Sequence, residues 1–89
     1  MNRPSVQGQI AATPVSAETK IGRRHVVLVN SGAKTVYIRL NDRPASVSDF
    51  PIGAGKSATL DCDSGSVIYS VTTICAGADA TTVDYLGWN

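Results

Sequence analysis

From residue 25 onward the chain alternates apolar and polar positions with a period of two, and good helix formers at i, i+3, i+4, i+7 are missing throughout. Thr35–Leu40 is the clearest stretch: Val36, Ile38 and Leu40 take one face, Thr35, Tyr37 and Arg39 the other. Ser57–Cys62 repeats the pattern with Ala58, Leu60 and Cys62 inward, and Thr81–Leu86 closes with Val83 and Tyr85 on one face. Ser66–Cys75 is a longer strand rich in Val, Ile, Tyr and Thr. His25–Val29 differs, being apolar at Val26, Val27, Leu28 and Val29, which predicts a central strand covered on both faces.

The punctuation fits these strands. Asn30-Ser31-Gly32-Ala33 is turn chemistry, with Gly32 available for a positive φ, and predicts a hairpin between the strands on either side. Asn41–Ser48 is a polar loop, after which Phe50-Pro51-Ile52 anchors the chain to the core before the turn Gly53-Ala54-Gly55. Asp63-Ser64-Gly65 predicts a second hairpin turn, and Ala76–Ala80 a loop. Nearer the start, Gln9–Val15 is a short or edge strand limited by Pro14, and Ser16–Gly22 a connector. Residues 1–8 are polar and extended. The expected fold is all-β: a small antiparallel β-sandwich of six to eight strands over residues 14–89, preceded by an extended N-terminal arm over residues 1–13.

Size sharpens this picture. The 89 residues (9.3 kDa) allow one domain with a thin core, the kind of chain that leans on a staple or a partner. A residue set that is 43% hydrophobic and 17% charged, with net charge +1, is neither that of a disordered chain nor that of an electrostatically driven nucleic-acid binder. No apolar run reaches the ~18 residues of a spanning helix. The opening Met1-Asn2-Arg3-Pro4-Ser5 lacks the apolar segment of a signal peptide, so the chain is expected to stay in the cytoplasm where it is made. The total of +1 hides an asymmetry: residues 1–43 hold seven cationic side chains against two anionic ones, and residues 44–89 hold one against five. Unless folding mixes the two sets on one surface, such a split can steer contacts between copies.

Candidate chemistry is sparse. Gly55-Lys56-Ser57 resembles the tail of a phosphate-binding loop, but Phe50 stands where the leading glycine belongs and a strand follows instead of a helix. His25 opens the most apolar strand beside Arg23 and Arg24 and reads as structural rather than as a catalytic base. Asp49, Asp61 and Asp63 lack the spacing of a calcium loop and read as solvated turn residues. A hairpin over Asp63–Gly65 places Cys62 about 30 Å of extended strand from the position opposite Cys75, so two free thiols are expected. The outcome is a non-enzymatic protein with no metal and no cofactor. Its candidate partner-binding residues are the basic Arg3, Arg23, Arg24 and Arg43, the arm's Val6 and Ile10, and Trp88 near the end of the chain, a large aromatic anchor. Lys20 completes a basic cluster suited to an acidic protein surface.

The order of these elements resembles small β-sandwich virion proteins of tailed bacteriophages. The shared features are Arg24-His25-Val26-Val27-Leu28-Val29-Asn30-Ser31-Gly32 followed by Thr35-Val36-Tyr37-Ile38, then Phe50-Pro51-Ile52-Gly53-Ala54-Gly55, Ser57-Ala58-Thr59-Leu60-Asp61, Val67-Ile68-Tyr69, and a closing Thr82-Val83-Asp84-Tyr85-Leu86. It extends over roughly Pro14 to Leu86 and departs at Asp84, where a more hydrophobic run is the pattern. The resemblance implies a structural role: a capsid decoration (cement) subunit in the virion, homo-oligomeric on the particle, with the major capsid protein or other virion subunits as partners and no membrane or specific nucleic acid. The alternative is a tail or fibre module that binds host-surface glycans through Tyr37, Tyr69 or Trp88.

Overall fold

A computed structural model describes residues 4–40, 45–62 and 66–89. The described residues form eight strands and no helix: β1 Val6–Ala12, β2 Ala17–Arg23, β3 His25–Asn30, β4 Val36–Leu40, β5 Phe50–Ile52, β6 Ser57–Asp61, β7 Ile68–Cys75 and β8 Thr81–Trp88. They make two four-stranded antiparallel sheets, one ordered β1-β8-β3-β6 and the other β2-β7-β4-β5. The fold is the small all-β sandwich that the alternation predicts.

The inner faces supply the core. Ile10, Ala12, Val26, Leu28 and Val83 from the first sheet meet Ile21, Val36, Ile38, Ile52, Ile68, Val71 and Cys75 from the second. Each large side chain among them contributes roughly 1.5–3 kcal/mol by leaving water. Ala58, Leu60 and Cys62 pack partly buried against this cluster, as their alternation requires. Both cysteines are free thiols.

Four expectations change. First, the chain joins the sandwich at Val6, not residue 14: β1 pairs along its whole length with β8, and Ile10 and Ala12 lie in the core. Val6, Ile10 and Ala12 on one face, with Gln7, Gln9 and Ala11 on the other, suffice for a one-sided strand. Second, the supposed connector is β2, which alternates Thr19, Ile21 and Arg23 toward the core side and pairs with β7. Of these three only Ile21 is apolar, so the strand shows no hydrophobic period in the sequence; its pairing with β7 shifts register between Lys20 and Arg23, where Gly22 has φ 66°. Third, neither predicted hairpin forms: β3 and β4 lie in different sheets, and so do β6 and β7. Gly32 has no positive φ; its role is close approach, since a Cβ there collides with Thr81 Oγ1 and lies 2.8 Å from the Thr82 nitrogen. Fourth, β3 is central but buried on one face only, with Val26 and Leu28 at 0% exposure and Val29 at 37%. The Asp63–Gly65 turn lies outside the described residues.

Because each sheet draws two strands from either half of the chain, the two charge halves interleave. The sheets are joined where the chain crosses between them. Asn30, wholly buried, donates from Nδ2 to the carbonyls of Lys34 (2.7 Å) and Ile52 (2.8 Å) and accepts at Oδ1 from Gly32 N–H (3.2 Å) and Thr81 Oγ1 (2.7 Å). One side chain thus fastens the end of β3 to β5, to the start of β8 and to the approach to β4.

Candidate functional site

The end of the sandwich opposite Asn30 gathers most of the predicted contact residues. The register puts His25 on β3 directly between Asp61 on β6 and Trp88 on β8. Since Val26 and Leu28 face the core, His25 points out with both neighbours. Its ring stacks on Trp88 with centroids 5.3 Å apart and planes 23° from parallel, and Nδ1 lies 2.6 Å from Asp61 Oδ1. The carboxylate and the indole hold the imidazole in place, and the imidazole in turn holds the indole in its stacked position while it remains half-exposed.

Arg24 precedes this row between β2 and β3. Its N–H donates to Asn89 Oδ1 (3.1 Å) and its carbonyl accepts from Cys62 N–H (2.8 Å), so the backbone is fixed on both sides. Its Nε is enclosed without a hydrogen-bond partner. Arg23, which ends β2, turns inward and is 9% exposed. Its guanidinium donates to the carbonyls of Pro4 (2.9 Å), Gly22 (3.0 Å) and Ile21 (3.4 Å). Carbonyl dipoles, with no carboxylate among the described residues' ion pairs, carry the solvation of this cation. Arg23 is therefore a structural clamp on the incoming chain and not the free surface cation expected from the sequence.

Two further rows continue the outer face of the β1-β8-β3-β6 sheet. Val27 has Thr59 and Leu86 beside it, with Gln7 beyond; Val29 has Ser57 and Asp84, with Gln9 beyond. The central strands thus present Trp88, Leu86, Val27 and Val29 as an apolar strip, with the ion-paired His25 beside Trp88 and Asp84 closing the strip beside Val29, while the edge strands rim it with Gln7, Gln9, Ser57, Thr59 and Asp61. Val29 and Leu86 are each 37% exposed. A shallow hollow lined by Gln7, Gly8, Gln9, Asp84 and Tyr85 borders the strip at β1. Apolar centre and polar rim are the anatomy of a protein contact surface.

Of the predicted residues, Val6, Arg23, Arg24 and Trp88 meet at this end, Val6 and Arg23 both packing around Gly87. Ile10 does not: it is core, at 6% exposure, and unavailable to a partner in the folded domain. Arg3 and Arg43 lie outside the described residues. Sequence reasoning missed Asp61 as the partner of His25 and missed Val27, Val29 and Leu86 as surface groups. Strand parity, with His25 out of phase with Val26 and Leu28, is the one signal that pointed there. Asp49 and Asp61 do not converge: Asp49 bonds Arg39 (3.3 Å) beside the other sheet, and the described residues hold no group of three metal-ligating side chains.

The sequence matches no family model and no curated protein. In structure the chain is similar to the plu4264 protein of Photorhabdus luminescens, with TM-score 0.63 and 13% identity over 100% of this chain. It spans 66% of that protein's length. It is also similar to PirA, with TM-score 0.55 and 13% identity over 93% of each chain. At this identity the likeness establishes the β-sandwich fold alone.

Proposed function

We propose that the protein is a non-enzymatic virion subunit, a capsid decoration protein that binds the outside of a phage head at the major capsid protein. The resemblance of Pro14 to Leu86 to phage virion proteins supports the reading. The observation that carries it is Trp88, held half-exposed on His25 at the head of an apolar strip rimmed by polar groups. Aromatic anchors dominate the energetics of protein contacts, and here a tryptophan is positioned before any partner arrives, which lowers the ordering cost of docking. Decoration needs burial of surface across joints of the shell and no chemistry, and a partner that binds only the folded domain also stabilises a thin core. The test is sedimentation of purified protein with expanded shells that lack it. The expected result is saturable co-sedimentation that Trp88→Ala weakens at least about tenfold; absence of binding by the unaltered protein overturns the reading.

A further inference from the structure

The sandwich has four edge strands, and three carry features that discourage further pairing. β5 is three residues long and contains Pro51, which offers no N–H. β2 carries Glu18 and Lys20 and is broken by the bulge before Arg23. β6 is five residues long, follows Lys56 and ends on Asp61. Charge, proline, shortness and bulges are the devices by which sheets avoid edge-to-edge association.

β1 has none of them. Its seven residues, Val-Gln-Gly-Gln-Ile-Ala-Ala, include no charge and no proline, and its register with β8 runs unbroken from Val6↔Gly87 to Ala12↔Thr81. Half of its backbone N–H and C=O groups face away from β8 and, among the described residues, have no strand beyond them. We propose that this edge pairs with β1 of a second copy, antiparallel about a two-fold axis at Gln9, joining two four-stranded sheets into one continuous sheet.

The strand itself argues for a second copy as the occupant. Full overlap of a seven-residue strand with its own copy requires the axis at its middle residue, Gln9. That register sets Gln9 against Gln9, Gln7 against Ala11, Gly8 against Ile10 and Val6 against Ala12. Outward residues then face outward residues, and inward face inward, as pairing demands. The two Gln9 carboxamides, each both donor and acceptor, are self-complementary across the axis. Because β1 is uncharged, no like charges oppose each other there, whereas the same centred self-pairing of β2 sets Lys20 against Lys20. Roughly six to eight new backbone hydrogen bonds result.

The measurement is sedimentation equilibrium across a dilution series reaching about 1 mM chain, where even millimolar association populates a dimer. Unaltered protein is expected to reach twice 9.3 kDa. Gln9→Lys, which places two ammonium groups at the axis, is expected to weaken dimerisation at least about tenfold while the melting temperature of the dilute monomer stays the same. In parallel, amide exchange over residues 6–12 slows as concentration rises. A monomer at every concentration, a dimer indifferent to Gln9→Lys, or concentration-dependent protection confined to another edge each overturns the proposal. None of these outcomes depends on shell binding.

Discussion

Asn30 Oδ1 accepts a hydrogen bond from Thr81 Oγ1 at 2.7 Å across 51 positions of sequence. With its other three bonds, it leaves no donor or acceptor of the Asn30 carboxamide idle at a wholly buried site. Asn30→Ala orphans the Thr81 hydroxyl, the Gly32 N–H and two carbonyls together. The expected loss is about 2–4 kcal/mol of unfolding free energy in urea. A loss under about 1 kcal/mol means that water replaces the carboxamide. Asn30→Asp is expected to be no milder, since it removes both donors and buries a carboxylate.

Thr73 offers a contrast. It is fully buried opposite Ile38 and Ala17, and its hydroxyl has no hydrogen-bond partner. Thr73→Val keeps the shape and removes the stranded polar atom. We expect a gain of about 1 kcal/mol, or a rise of roughly 4–8 °C in the melting temperature of a domain this size. A decrease in calorimetry refutes the assignment.

Gly87, next to Trp88 in β8, faces side chains of the opposite sheet. A Cβ there lies 2.9 Å from Ile21 Cγ2, 3.1 Å from Val6 Cγ2 and 3.3 Å from Arg23 Cγ. These atoms belong to packed strands, so Gly87→Ala is expected to cost about 1–3 kcal/mol and to disturb the Trp88 fluorescence. An unchanged melting temperature and spectrum sink the packing account.

Burial raises the Cys75 thiol above its ordinary value; a hydrogen bond from the Thr81 backbone opposes this and the charge of Asp79 adds to it. The folded chain keeps that proton to a higher pH than the unfolded chain does. The corresponding stability is therefore complete below the unfolded thiol's value of about 8.5 and is lost as pH rises through the folded value. Thiol titration is expected to label half-buried Cys62 first and Cys75 only on unfolding. Equal labelling rates refute this ordering.

For the docking surface, Trp88→Ala is expected to weaken shell binding by at least about tenfold while lowering stability by no more than about 1–2 kcal/mol, because the indole is half-buried. Lys56→Ala, at the Asn30 end, is the control and is expected to bind normally. If both variants bind equally well, the contact lies elsewhere.

Most strands were legible in the sequence because a one-sided sheet face writes its period directly into the residues. Val36-Ile38-Leu40 and Ala58-Leu60-Cys62 needed no tertiary information to be placed inward. β2 was missed because Ile21 is the one apolar residue among its inward Thr19, Ile21 and Arg23, and β1, expected as the edge strand Gln9–Val15, starts three residues earlier at Val6 because its polar first half carries little signal. The four apolar residues of β3 predicted burial on both faces, yet Val27 and Val29 lie on the outer face, where Val29 is 37% exposed.

What residue order alone determined was the all-β class, the inward face of most strands and the interest of the Trp88 end. Which sheet each strand joins was decided only in three dimensions. Turn chemistry specifies a change of direction, but strand pairing depends on partners distant in sequence, and that choice sent β4 and β7 across the sandwich. The same pairing brought Asp61 and Trp88 to either side of His25, converted Asn30 from a turn residue into the fastener between sheets, and left β1 as the uncharged edge.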